Sequence, residues 1–165
     1  MEKSELSIVS RRLAKAPVDL KAIFSDLGIE YEELWMDDGA SGSITRNGDS
    51  FTVAVNATES STRQRFTAAH ELAHYLLHRD LMQIDGDKMN RHTDKLYGTP
   101  ENNPASPFTR QHEVQANRLA AQIVMPAPLV REKFAECQDA GQLAGSFGVS
   151  KAAMEIRLRT LGLAI

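Results

Sequence analysis

The chain has 165 residues, 42% of them hydrophobic and 25% charged, close to the average of soluble globular domains, which excludes a largely disordered chain, a collagen-like repeat and a coiled coil. Its formal charge of −3 argues against strong electrostatic affinity for nucleic acid. No apolar run approaches the roughly 18 residues that span a bilayer, the start Met1-Glu2-Lys3-Ser4-Glu5 carries acids where a leader would be basic and apolar, and the single Cys137 cannot pair internally. These features predict a cytoplasmic chain without a membrane partner, built as one domain or one domain with a small helical appendage.

In chain order, Leu6, Val9 and Leu13 at helical spacing predict a short amphipathic helix over 5–15. Pro17 suits the first turn of a second helix, Val18 to Leu27, which Gly28 ends. Residues 29–36 read weakly as a strand. Asn47-Gly48-Asp49 is a turn between 41–46 and the alternating, β-branched 51–56, so a hairpin is predicted there. Ser60, Ser61 and Thr62 are candidate caps for a long helix whose stripe runs Phe66, Ala69, Leu72, Ala73, Leu76 and Leu77. Periodicity is lost over 80–108, which reads as a long loop. Thr109 or Arg110 opens another helix that Pro126 stops. Residues 128–136 form a short helix, and 139–161 form two more around Gly148-Val149-Ser150. The pattern is α+β: a domain over 1–130 with a small antiparallel sheet packed on helices, then a helical, helix-turn-helix-like tail over 131–165.

The string that carries chemistry is His70-Glu71-Leu72-Ala73-His74. On a helix, residues four apart are displaced by about 40° and about 6 Å, so both imidazoles can face one ion. Glu71 is turned about 100° from His70 and flanks the ion as a base toward its water. A catalytic zinc normally takes a third protein ligand. Asp80 is in register for one zincin pattern, but Leu77 stands where that pattern has a glycine. Asp85, Asp87, His92 and Asp94 in the aperiodic stretch stay open. Glu113 is the better choice, because its helix face continues through Ala116, Asn117, Ala120 and Ala121, small side chains that let two helices approach closely. His78, at i+8, is a bystander or supports a ligand from behind. Asn117, Tyr75 and His112 are the remaining candidates for ligand support or substrate contact.

Residues 63–78, centred on His70-Glu71-Leu72-Ala73-His74, resemble the signature of the ImmA/IrrE family of zinc metallopeptidases. Glu113-Val114-Gln115-Ala116-Asn117-Arg118-Leu119-Ala120-Ala121, running on to Met125-Pro126, resembles that family's second block, and Val53 to Asn56 resembles the strand that leads into its metal helix. The resemblance covers roughly residues 17–165. It implies a zincin-like domain with a gluzincin-like site: His70, His74 and Glu113 as Zn2+ ligands and Glu71 as base. It also implies the substrate class, a helix-turn-helix repressor of a mobile element or stress regulon, often encoded nearby, whose cleavage relieves repression.

The expected reaction is water attack on a peptide carbonyl, with Glu71 moving the proton to the leaving amine. Tyr75, Tyr97, His112 and Arg118 are candidates to help polarise the carbonyl, and the substrate would lie extended against a sheet edge near 51–56. The pattern from Leu143 through Phe147, Gly148 and Ser150 to Leu161 looks like a helix-turn-helix. Residues 131–165 hold five basic and four acidic side chains, too little net charge for a phosphate footprint. A buttress or substrate-recognition role is therefore favoured over direct DNA binding. The alternative is a DNA-binding or protein-interaction regulator with an inactive peptidase-like domain.

Overall fold

The hairpin sets the frame. Strands β2 (Gly42–Asn47) and β3 (Ser50–Asn56) pair antiparallel from Asn47↔Ser50 to Gly42↔Val55. Gly48, at φ +62, takes the first position of the two-residue turn, a backbone region open to glycine at no steric cost. The chain is described by a computed structural model over residues 1–37, 39–83, 90–94 and 106–163, with residues 90–94 described by their backbone.

β1 (Glu30–Leu34) lies parallel to β3, Glu30 beside Thr52 and Leu34 beside Asn56. β4 (Asn90–Asp94) runs antiparallel to β2 on its other side. The order β1-β3-β2-β4 is thus a mixed sheet, not the antiparallel one expected. The reason lies in the connection over 35–41, which crosses the end of β3 so that β2 starts where β1 finishes. Buried Asn56 ties this crossover down. Its Nδ2 donates to the Ala40 carbonyl at 2.7 Å, its backbone N–H to Ser41 O at 2.8 Å, and its Oδ1 accepts from the Thr58 N–H and hydroxyl. A second correction follows: β3 is internal, so residues 51–56 offer no edge for a substrate, and among the described residues the edges are β1 and β4.

Helices pack around this sheet. α1 (Lys3–Arg12) is followed by α2 (Leu20–Leu27), which Asp19 caps by accepting the Ala22 N–H. Pro17 lies upstream of that cap, not in the first turn. α3 (Ser61–His78) starts at the Ser60 cap and is buried nearly all round in its middle, from Thr67 to His74. A 3-10 turn at Arg79–Leu81 closes it, clamped by Arg46 donating to the carbonyls of Arg79 and Met82 and by the Glu5–Arg79 ion pair. α4 (Arg110–Val124) packs along α3, with Ala116 and Ala120 fully buried as the small-residue face predicted.

α5 (Ala127–Glu136), α6 (Ala140–Phe147) and α7 (Lys151–Thr160) complete the chain. Gly148 ends α6 in the left-handed region and Ser150 caps α7, leaving a three-residue connection. Phe147, Met154 and Leu158 join the same apolar cluster as Leu72 of α3 and Ile23 of α2. Arg157 Nε, buried, donates to the Met125 carbonyl at 3.0 Å and fastens α7 to the end of α4. No helix among the described residues is long and apolar enough to cross a membrane.

Candidate metal centre

α3 puts His70 and His74 on one face, one turn apart, as the spacing requires. α4 brings its first turn against that face, and Glu113 arrives between the two rings. His70 Nε2 stands 3.0 Å and His74 Nε2 3.3 Å from Glu113 Oε2, and the two Nε2 atoms are 3.1 Å apart. Among the described residues, these three form the group of potential metal-ligating side chains. All are buried, Glu113 least so at 9% exposure.

The donor set fits a metal ion on two counts. Donors about 2.0–2.1 Å from a tetrahedral ion stand about 3.3–3.4 Å apart, and the observed edges are at or slightly inside that spacing. The surrounding hydrogen bonds also set the tautomers. Asn117 Oδ1 lies 2.8 Å from His70 Nδ1, and an amide oxygen only accepts, so His70 carries its proton on Nδ1. Its Nε2 then turns a lone pair inward. On the other side, His74 Nδ1 is 3.0 Å from His78 Nδ1, and His78 Nε2 is 2.8 Å from Gln115 Oε1. Burial pushes the His78 imidazole below its ordinary pKa, with the Gln115 hydrogen bond opposing, which keeps the ring neutral at pH 7. Two imidazoles and a carboxylate converging in this way are the donor chemistry that suits zinc.

Phe108, just ahead of α4, stacks on His74 at 4.0 Å between centroids and 5° between planes. Glu71 is fully buried on the flank of α3 that faces β2. There Gly42 admits the helix: a Cβ at that position would fall 2.4 Å from Thr67 Cγ2 and 2.8 Å from the Ala54 carbonyl oxygen, with Glu71 Cγ at 3.8 Å. The sheet therefore touches α3 one turn before, and beside, the motif.

The other predicted residues separate. Asn117 backs His70. His112 accepts the Thr109 N–H at 3.0 Å in the capping box of α4, and its ring lies 4.7 Å from that of His78. Tyr75 turns to Phe51 and to the Arg79 guanidinium. Asp80 is exposed in the 3-10 turn, and Arg118 is exposed on α4. Asp85, Asp87 and Tyr97 lie outside the described residues, as do the side chains of His92 and Asp94. Phe108 and Gln115 were not legible from the sequence. Gln115 carried one signal, its place two residues after Glu113 beside the i+8 histidine. Arg118, with Arg63, Phe66, Asn117, Ile156 and Arg157, lines a cleft of about 770 Å³ between α3, α4 and α7.

Comparison with known proteins bears on this arrangement. The model of a peptidase family, described as the IrrE N-terminal-like domain, matches residues 26–159. No curated protein matches the sequence significantly. Among solved structures, a Mycobacterium tuberculosis transcriptional regulator is similar in fold with a TM-score of 0.57 and 18% identity, over 96% of this chain and 47% of that one. The chain thus spans less than half the length of that regulator.

Proposed function

This chain belongs to the family of the IrrE N-terminal-like domain, and on that premise we propose that it is a zinc-dependent endopeptidase that cuts a helix-turn-helix transcriptional repressor and so relieves repression. The observation that carries the reading is the triangle of His70 Nε2, His74 Nε2 and Glu113 Oε2, with Glu71 on the next helical position. A zinc ion held there supplies Lewis acidity toward a water and a carbonyl oxygen. Glu71 takes the proton from the attacking water and returns it to the leaving amine. Asn117, facing His70 Nδ1, aims that imidazole with Nε2 inward. β4 is the edge that an extended peptide would join, because its Asp94 end pairs with Gly42, next to Glu71. The cleft beside α7, bordered by three arginines, would hold a further part of the protein substrate.

The test is incubation of the zinc-loaded chain with helix-turn-helix repressors, beginning with any that a neighbouring reading frame encodes, read by mass spectrometry. One cut is expected. Glu71→Gln should retain zinc and lose about 10²–10⁴-fold in cleavage rate. Cleavage by that variant at the wild-type rate removes Glu71 as the base. A second reading, a regulator with an inactive peptidase-like domain, is favoured by the fold shared with a transcriptional regulator. Zinc binding without cleavage of any repressor, joined to salt-dependent binding of duplex DNA, would establish it instead.

A further inference from the structure

We propose that His78 and Gln115 are positioning residues, a hydrogen-bonded chain that fixes His74 in the tautomer a metal requires. The inference rests on the metal-site reading above and assumes nothing about the substrate.

Gln115 Oε1 faces His78 Nε2 at 2.8 Å and can only accept, so the proton sits on His78 Nε2. A neutral imidazole carries one N–H, which leaves a lone pair on His78 Nδ1. That lone pair faces His74 Nδ1 at 3.0 Å, so His74 is the donor there. Its Nε2 is left bare, directed at Glu113 Oε2 and His70 Nε2. Were the chain reversed, His74 would carry its proton on Nε2, between the other two ligand atoms, and could not bind an ion.

The two histidines of the motif are thus secured by different means. Asn117 Oδ1 faces His70 Nδ1 directly, at 2.8 Å. His74 is held by a two-link relay that ends at a cleft of about 580 Å³, lined by Leu77, His78, Leu81 and Gln115. The plane of its ring is set by Phe108, stacked at 4.0 Å, but stacking leaves the tautomer undetermined. On the Nδ1 side of the ring it is His78 that bears on the tautomer. Outer partners of metal-bound histidines typically carry 10–100-fold in metal affinity.

Asparagine and leucine at position 78 separate the relay from mere packing. Asparagine places Oδ1 as many bonds from Cβ as His78 Nδ1, so it can accept the His74 N–H, whereas leucine has the same branching and no acceptor. The measurement is zinc affinity by competition with a chromophoric chelator, on folded variants matched by circular dichroism. His78→Leu should lose about 10–100-fold, and His78→Asn should recover most of it. Alongside, the 15N-labelled, zinc-loaded wild-type protein should show a slowly exchanging His74 Nδ1–H with 15N–15N coupling across the hydrogen bond to His78 Nδ1. That spectrum stands even if a variant fails to fold. Equal affinities for the leucine and asparagine variants, or a spectrum that places the shared proton on His78 Nδ1, would overturn the proposal. A wild-type chain that takes up no zinc would instead overturn the metal-site reading, and this one with it.

Discussion

Two pairs of helices in this molecule are built on opposite terms. Where α3 meets α4, the buried residues include His70, His74, His78 and Glu113, side chains that cost free energy to remove from water unless each finds a partner. Where α6 meets α7, the buried apolar residues include Leu143, Ala144, Phe147, Met154 and Leu158, which gain by leaving water, while the buried charge of Arg157 turns to the Met125 carbonyl at the end of α4. The first pair holds a polar group together by mutual hydrogen bonds around a point where donor atoms suited to a metal ion converge. The second packs into the shared apolar cluster and calls for no ion. Stability of the first should therefore depend on solution conditions in a way that stability of the second does not.

The largest effect that can break this contrast is metal removal. With zinc at about 1,000 times its dissociation constant, binding to the folded state adds about 4 kcal/mol, which for a chain of this size is about 8–16 °C in Tm. Chelation should remove that increment from the wild type. Glu113→Ala should show no zinc-dependent increment. Phe147→Ala, at a fully buried position, should cost a similar 3–5 kcal/mol by opening a cavity, yet keep the full zinc-induced rise. Calorimetric scans with and without chelator check all three, and a Phe147 variant that lost its zinc response would show that the two helix pairs are coupled.

How much of this could be read beforehand follows the same division. The motif on α3 was legible because helical geometry alone puts His70 and His74 together. Glu113 was legible because Ala116 and Ala120 betrayed a close helix contact. The hairpin announced itself through Gly48 and the β-branched run at 51–55. What escaped depends on long-range pairing. β4 is Asn90-Arg91-His92-Thr93-Asp94, with no apolar alternation; its partner is the backbone of β2, so no side-chain period marks it. The parallel placement of β1 goes with a connection held by long-range hydrogen bonds, those of Asn56 among them, which no local pattern marks. Phe108 follows a proline in an aperiodic stretch, and only the arrival of α4 at α3 gives it a ring to stack on. Pattern reveals what a segment does for itself and misses what a neighbour imposes.

A smaller effect probes the join between the sheet and the polar pair. At Gly42 a methyl group would meet Thr67 Cγ2 and the Ala54 carbonyl oxygen, and neither gives way without moving α3 or β3. Gly42→Ala should destabilise the fold by about 1–3 kcal/mol and weaken zinc binding, since α3 carries both histidines. Adding Thr67→Ser removes the Cγ2 clash and should restore part of both. Denaturant midpoints and zinc titrations on the single and double variants measure it. Restored stability without restored zinc affinity would show that the strain is confined to the strand and does not reach the motif.

The smallest effect comes from a charge pair outside both helix contacts. Arg12 Nε donates to Asp26 Oδ2 at 2.9 Å, joining α1 to α2, and the guanidinium hydrogen bond holds the Asp26 carboxyl below its ordinary pKa. A carboxyl depressed in the folded state contributes its stability at pH above its unfolded pKa of about 3.9 and loses it as pH falls through the folded value. The difference between wild type and Asp26→Asn should therefore be present at pH 7 and fade on acidification below about pH 4. Both ends are solvated, so the difference at pH 7 should be near the limit of detection by urea unfolding, and zinc should leave it unchanged. A pair as polar as the Glu113 centre then contributes almost nothing to stability. A large difference at pH 7 would mean that charge itself, exposed or buried, holds this fold together, and the contrast between the two helix pairs would lose its physical basis.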